Sequence, residues 1–217
     1  IPLLLSHTVL KIEGRQRAQS VTICKVNDKL EPMLETAKVV ECDCVLLSVG
    51  LLPENELAKK LGVNISGVTG GAIVDENMMT NIDGVFECGN VLHVHDLVDY
   101  VSQESQLAGV AAVEYLNKVK SSQQEKWQIV ASDGVRYCVP FAINKDTTAS
   151  SIALKMRVAT VAKNVRLVLS CGATILSDQK KPIVRPGEMI VFNLEMRLLE
   201  QLKGADTIKV YLQSDKA

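Results

Sequence analysis

A glycine and an asparagine that close one segment of this chain are the residues best suited to hold a ligand. The segment runs Thr80-Asn-Ile-Asp-Gly-Val-Phe-Glu-Cys-Gly-Asn90, and Val85-Phe86 within it is expected to be a buried strand. Gly89 leaves room for a ligand to approach the backbone, and the Asn90 side chain can hydrogen-bond a sugar hydroxyl. Because open α/β sheets bind ligands at the carboxyl ends of their strands, the spacing predicts a ligand-binding turn here.

A long helix is expected to follow this turn, from about Val101 to Lys118. Asp99 is a candidate N-cap, because its carboxylate can accept free N–H groups of the first turn. Val101 and Ser102 would open the helix, whose amino end presents a partial positive charge to an electron-rich group. Small residues would let the helix lie close to a sheet or a ligand: Ala108, Gly109, Ala111 and Ala112.

The turn and helix together resemble the second FAD-binding motif of the pyridine nucleotide-disulfide oxidoreductase superfamily, Thr-x-x-x-Gly-hydrophobic-aromatic-x-x-Gly-Asp. The resemblance implies that Gly89 and Asn90 lie at the ribityl chain of FAD. It also implies that Val101 and Ser102 lie at the pyrimidine edge of the flavin ring. This chain has Asn90 where the family has an acid, and an amide can still accept from and donate to a hydroxyl.

A second segment is similar to the same superfamily. Cys44-Val-Leu-Leu-Ser-Val-Gly-Leu-Leu-Pro-Glu-Asn55 resembles the return of the chain from the NAD(P) domain to the FAD domain. The resemblance covers residues 1–119, with 1–43 as the tail of the NAD(P) domain and 44–119 as part of the FAD domain. It implies an oxidoreductase that uses FAD and NAD(P) and passes electrons to a small-molecule or protein substrate.

The glycine-rich phosphate-binding motif of such enzymes does not occur in this sequence. There is no Gly-x-Gly-x-x-Gly, and Gly67-Val-Thr-Gly-Gly71 is a turn. We therefore expect the first FAD motif, the NAD(P) loop and any redox-active Cys-x-x-Cys to lie N-terminal to Ile1. On this interpretation the chain alone is an inactive fragment that binds no cofactor, and no catalytic residue can be named.

The elements that position the turn are expected to form an α/β arrangement. Residues 1–43 have the alternating runs of a β meander, and Cys44–Val49 is apolar enough for a strand buried on both faces. A short helix over 54–61 should end at Gly62, a favourable left-handed cap. Short strands are predicted at 72–75 and 84–88.

Residues 127–217 are predicted to form an antiparallel β-sandwich, after an exposed polar linker at 120–126. The fold class is therefore a partial Rossmann-like α/β region followed by an all-β domain. Strands are expected at 128–131, 136–139, 152–158, 165–169, 189–194 and 207–212. An alternative function is that of an interaction or dimerisation module built on the sandwich, so a homodimer is one expected assembly.

Other polar residues near the turn allow a second interpretation. His93, His95 and Asp96 could form a metal site on an extended segment, with Asp99 or a distant residue as a further ligand. Hydrogen-bonded loop side chains explain them better, and we predict no metal. Glu104 could act as an acid or base, but its position favours a solvated helix face.

Composition excludes several classes of function. A net charge of −1 predicts no nucleic-acid partner, and no apolar run approaches the roughly 18 residues of a membrane span. The six cysteines are scattered without a Cys-x-x-Cys, and Cys42 and Cys44 are most simply small buried residues. The cysteine usage favours a reducing, cytoplasmic compartment.

Overall fold

The computed structural model describes residues 2–117, 125–199 and 206–215. The chain forms two compact units, residues 1–50 and residues 51–217. Strands dominate both units, and helices are few. In the described part of the chain, no helix combines the length and the apolar character that crossing a membrane would require.

The first unit is a three-stranded antiparallel sheet. Its strands are β1 (His7–Glu13), β2 (Ser20–Val26) and β3 (Pro32–Glu41), and β2 lies in the middle. The predicted meander is therefore confirmed. The strand predicted over Cys44–Val49 is wrong, because this segment pairs with no strand in the described part of the chain and Leu46 is 92% exposed. An apolar run forms a buried strand only where neighbouring strands supply hydrogen bonds, and the described residues of this unit supply none.

The second unit begins with helices and tight turns. The helices are α1 (Glu56–Leu61) and α2 (Val98–Asn117), and α1 ends at Gly62 with a left-handed φ of 88°, as predicted. The strands predicted at 72–75 and 84–88 are wrong: the bridges here are single ones, such as Met79 with Phe86. Asp75 explains this difference, because its Oδ1 accepts from the N–H groups of Asn77 and Met79 and turns the chain.

In the rest of the second unit the described residues form eight strands, β4 to β11, which we call the β region. One sheet has the order β10-β7-β5, and the other has the order β6-β4-β11-β8-β9. The strands are β4 (Lys126–Ala131), β5 (Val135–Val139), β6 (Ala142–Asn144), β7 (Ser151–Val158), β8 (Ala162–Cys171), β9 (Thr174–Val184), β10 (Ile190–Glu195) and β11 (Thr207–Ser214).

The predicted antiparallel pairing holds for most neighbours in the β region, but β4 and β11 are parallel. Strands β6 and β9 were not predicted. Pro182 and the Lys180-Lys181 pair before it lie within β9. A proline fits there because β9 is at the edge of its sheet, where a backbone N–H need not be paired.

The larger hydrophobic cluster of the β region lies between its two sheets. Leu154 and Met156 reach it from the smaller sheet, and Leu167 and Ile208 reach it from the larger one; all four are fully buried. Sheets with one apolar face each are stable when those faces pack together. The finer descriptions of the fold, a β-sandwich for this region and a Rossmann-like arrangement before it, stay predictions.

Residues 51–117 pack directly against the β region. The Phe141 N–H donates to the Val74 carbonyl at 2.9 Å, and Asp75 bridges with Ala142. The Lys126 ammonium lies 2.9 Å from Asp75 Oδ2. Most of the predicted linker at 120–126 lies outside the described residues, as does the predicted helix end at Lys118. The predicted domain boundary between 119 and 127 stays a prediction.

Candidate functional site

The predicted ligand-binding turn is a single 3₁₀ turn, Gly89–Val91, that precedes α2. Gly89 has a φ of +77°, a backbone conformation that residues other than glycine rarely adopt. Its N–H donates to Glu104 Oε2 at 2.7 Å. Asn90 is exposed, and its Oδ1 accepts from the N–H of His95 at 3.1 Å. The Glu104 carboxylate thus stabilises the turn through the Gly89 N–H, and the Asn90 side chain lies at the surface.

The helix after the turn begins earlier than predicted. Because α2 starts at Val98, Val101 and Ser102 lie after its first three residues and do not open it. Asp99 is an acid in the first turn and not an N-cap. An acid in that position favours helix formation through the partial positive charge there, which accounts for the earlier start. The free N–H groups of the helix therefore belong to the residues before Val101.

Glu104 lies at the centre of the site and is 2% exposed, so the predicted solvated helix face is wrong for this residue. Its Oε1 accepts from His93 Nε2 at 3.2 Å and from the Lys155 ammonium at 2.9 Å. The second histidine, His95, places its Nε2 at 3.3 Å from the same oxygen but outside hydrogen-bonding geometry. The carboxylate therefore connects the turn, the loop after it and the β region.

A signal for this burial was present in the sequence. Glu104 is four residues before Ala108 and seven before Ala111, and these three are the buried residues of α2. Residues at i, i+4 and i+7 share one face of a helix. The partner Lys155 has no comparable signal, because it lies on β7, 51 residues further along the chain.

The acid of the His-Val-His-Asp segment does not join the two histidines. Asp96 pairs with the Arg157 guanidinium of β7, whereas the group of possible metal ligands consists of His93, His95 and Glu104, with ligand atoms within 4.8 Å of one another. Lys155 already balances the charge of Glu104, so a divalent ion there would bring an uncompensated positive charge into a buried site. For this reason we retain the prediction of no metal.

Burial and hydrogen bonding have opposite effects on the ionisation of this cluster. Burial alone would raise the pKa of Glu104, but the interactions with His93, His95 and Lys155 outweigh it and hold the pKa well below its usual range. Burial lowers the pKa of His93, against the opposing effect of Glu104. At neutral pH Glu104 is therefore a carboxylate, and His93 beside it is neutral.

Acid should reduce the contribution of Glu104 to stability. Its pKa is lower in the folded chain than the ordinary value of 4.5, so its stabilising effect is complete above that value and is lost as the pH falls below it. Burial raises the pKa of Glu76 and Glu87, which changes stability in the opposite direction. The test compares the denaturant stability of the parent and Glu104→Gln from about pH 7 to about pH 3. We expect the difference in free energy of unfolding between the two proteins to shrink below pH 4.5. A difference that stayed constant with pH would contradict the assignment of Glu104 as a buried carboxylate with a lowered pKa.

The amino-terminal half of the chain is similar to known redox proteins. Residues 1–114 match the family model described as pyridine nucleotide-disulphide oxidoreductase. An NAD(P)H sulfur oxidoreductase (CoA-dependent) of Pyrococcus abyssi is 32% identical over 98 residues, which are 45% of this chain and 19% of the relative. An NADH oxidase of Methanocaldococcus jannaschii is 29% identical over 115 residues, 52% of this chain and 22% of the relative.

A third relative has a different acceptor in its name. A ferredoxin–NADP reductase of Ignicoccus hospitalis is 32% identical over 79 residues, which are 36% of this chain and 25% of the relative. The matched segments thus span about a fifth to a quarter of these relatives. The family model covers more than half of the chain, and it includes the Gly89–Asn90 turn and most of α2. The chain therefore belongs to the pyridine nucleotide-disulphide oxidoreductase family.

Proposed function

We propose that this chain supplies the flavin-side part of an FAD-dependent NAD(P)H oxidoreductase. The observation that carries the proposal is the left-handed Gly89, which turns the chain immediately before an exposed Asn90 and the start of α2. A ribityl chain needs such a turn, with a hydrogen-bonding side chain and open space beside the backbone. Among the described residues, and apart from the chain neighbours of Gly89, a Cβ at this position would meet one atom within 4 Å, Val101 Cγ1 at 3.3 Å.

The relatives support the general class of reaction. Their names contain NADH, NADP or NAD(P)H, but they differ in the second substrate, which is sulfur in one name and ferredoxin in another. We therefore propose electron transfer between NAD(P)H and a second substrate, small molecule or protein, whose identity stays open. The interaction or dimerisation role of the β region stays a prediction too.

Each part of the site has a definite role in this proposal. Bound FAD would supply hydride and electron transfer. The Asn90 amide would hydrogen-bond a ribityl hydroxyl, and Gly89 would leave the backbone open to it. The amino end of α2, at Val98 to Tyr100, would place its partial positive charge where negative charge develops on a reduced flavin.

The apolar surface of α2 supports completion of this site by another part of the protein. In the second half of this helix, four apolar side chains are between 43% and 80% exposed: Leu107, Val110, Val113 and Leu116. A contiguous apolar stripe of this kind normally packs against a partner. We propose that a phosphate-binding half of the FAD site, which this sequence does not contain, covers it.

The flavin affinities of variants in the turn should follow a definite order. In the full-length protein, Asn90→Leu should weaken FAD binding about ten- to a hundredfold, because a buried hydroxyl loses its partner. Asn90→Asp should bind at least as well as the parent, since an ionised acceptor makes the stronger bond. Gly89→Val should be the weakest binder, because a branched side chain is strained at a φ of +77°. Flavin fluorescence titration measures the order.

One result would contradict the assignment of this turn as the contact to the ribityl chain. If Asn90→Leu retained the flavin affinity of the parent, Asn90 would not contact the ribityl chain. A matched control is Asn81→Leu, because Asn81 is also an exposed asparagine in a turn but lies outside the Gly-Asn pair. Asn81 Oδ1 accepts from the Asn64 N–H, so this control should change stability and leave the flavin affinity of the folded protein unchanged.

A further inference from the structure

Two basic side chains of β7 point at the segment that contains the predicted flavin-binding turn. Side chains alternate between the two faces of a strand, and Ile152, Leu154 and Met156 occupy the face that lines the core of the β region. Lys155 and Arg157 are therefore on the opposite face. Both make their ion pairs with acids between residues 93 and 104, outside the β region.

Lys155 reaches the turn through one intermediate residue. Its ammonium donates to Glu104 Oε1 at 2.9 Å, and the other oxygen of that carboxylate accepts from the Gly89 N–H at 2.7 Å. The side chain of Lys155 is 10% exposed and that of Glu104 is 1% exposed. Since buried charges are only weakly screened by salt and solvent, this pair holds the carboxylate oxygen under Gly89 in a fixed orientation.

Arg157 reaches the same turn by a second route. One of its terminal nitrogens, Nη2, donates to the Val94 carbonyl at 3.1 Å and to the Asp96 carboxylate. The other Asp96 oxygen accepts from the Met189 N–H at 2.8 Å, just before β10. Between these two anchored residues, the His95 N–H donates to Asn90 Oδ1. The loop His93–Asp96 is thus fixed to the β region at both sides of the residue that orients Asn90.

A buried ion pair is a poor way to gain stability. Taking a carboxylate and an ammonium out of water costs several kcal/mol per ion, and apolar residues of similar size often stabilise a protein equally well. What the pair adds is a fixed geometry. The Lys155–Glu104 pair fixes Gly89, and the Arg157–Asp96 pair fixes the loop that orients Asn90. These are the two residues that the proposed function places at the flavin.

We propose that β7 positions the flavin-binding turn, with Lys155 and Arg157 as positioning residues that act through Glu104 and the His93–Asp96 loop. This inference rests on the proposed function. It assigns a role to the β region, which lies beyond the residues 1–114 that match the family. In this role the β region determines how tightly the oxidoreductase holds its flavin, and a perturbation of β7 changes flavin affinity without touching the cofactor.

The test separates positioning from stability with single and paired substitutions in the full-length protein. Lys155→Met should weaken FAD binding about tenfold, and Lys155→Arg should restore most of it because the charge returns. Lys209→Met is the control, since Lys209 is an exposed residue on β11; it should bind FAD like the parent. Fluorescence titration measures affinity, and denaturant melts measure stability.

The double variant Glu104→Leu with Lys155→Met gives the decisive comparison. With both charges removed the protein should regain stability relative to Lys155→Met alone, but the Gly89 N–H has now lost its acceptor, so FAD affinity should stay low. If affinity returned together with stability, Lys155 would be merely structural and the inference would be overturned. The same conclusion would follow if Lys155→Met bound FAD like the parent.

A flavin-free measurement distinguishes this failure from failure of the proposed function. Hydrogen exchange of the Gly89 amide, measured on the chain without FAD, should be faster in Lys155→Met than in the parent. Unchanged exchange would overturn the positioning role whatever binds at the turn. If instead the parent protein bound no FAD while the exchange of Gly89 still rose, the proposed function would fall and the positioning of the turn by β7 would stand.

Discussion

Replacing Glu104 with leucine should lower the free energy of unfolding by about 3–5 kcal/mol, because it leaves a buried ammonium without its counter-charge. Lys155 is 8% exposed and gives its hydrogen bond to this carboxylate. The Gly89 N–H and His93 Nε2 lose the same acceptor. This single substitution therefore removes three hydrogen bonds from one buried charge. Urea denaturation of the parent and the variant measures the change.

The control for this experiment is Glu54→Leu, because Glu54 is an exposed acid in the same compact unit. It should change stability by no more than about 0.5 kcal/mol, as surface substitutions usually do. A loss below about 1 kcal/mol in Glu104→Leu, the typical cost of an ordinary substitution, would mean that the carboxylate and the ammonium are not a buried pair.

Replacing Gly71 with alanine should be similarly damaging for a different reason. A Cβ at this position would lie 1.8 Å from the carbonyl oxygen of Leu92, which directly follows the Gly89–Val91 turn. The backbone segments at Gly71 and Leu92 cannot easily move apart, because the Asn55 amide donates to the carbonyls of the residues before them, Gly70 and Val91, at 2.9 and 2.7 Å. We expect a loss of roughly 3 kcal/mol, the upper end of the usual cost of overpacking.

The matched control is Gly67→Ala, four residues earlier, where a Cβ would meet no atom of the described residues within 4 Å beyond its chain neighbours. Thermal denaturation of the two alanine variants should therefore show a large loss for Gly71 and almost none for Gly67. Equal melting temperatures would show that the close approach of residues 71 and 92 is absent in solution. A displaced Leu92 should also weaken flavin binding, since it moves the turn.

The turn at Gly89 could be predicted because its features are local. A glycine before a polar residue at the end of an apolar run indicates a left-handed turn whatever surrounds it, and Gly89 has that conformation. The existence of α2 follows in the same way from its periodic sequence. Its start was predicted three residues too late because Asp99, a residue type that favours the N-cap, lies inside the first turn of the helix.

The surroundings of Glu104 could be predicted only in part. Its spacing from Ala108 and Ala111 places it on the buried face of α2, yet the same residue type is usually solvated, and that general tendency misled the prediction. The apolar run at Cys44–Val49 gave the opposite error. It has the composition of a buried strand, but burial requires neighbouring strands that composition cannot supply.

The sequence by itself determined the elements whose signals lie within a few residues of one another. These are the β meander of residues 7–41, the glycine-ended helix α1, the Gly89–Asn90 turn and most strands of the β region. Backbone conformation at such sites depends on adjacent side chains, so a short stretch of chain contains enough information.

Only the tertiary structure decided which residues meet at the site. Lys155 and Glu104 are 51 residues apart, and Arg157 and Asp96 are 61 apart. The parallel pairing of β4 with β11 also joins distant parts of the chain. Many lysines and acids in this sequence could pair equally well by charge. The choice among them was made by the packing of whole sheets and helices, which placed one face of β7 against the loop that follows Asn90.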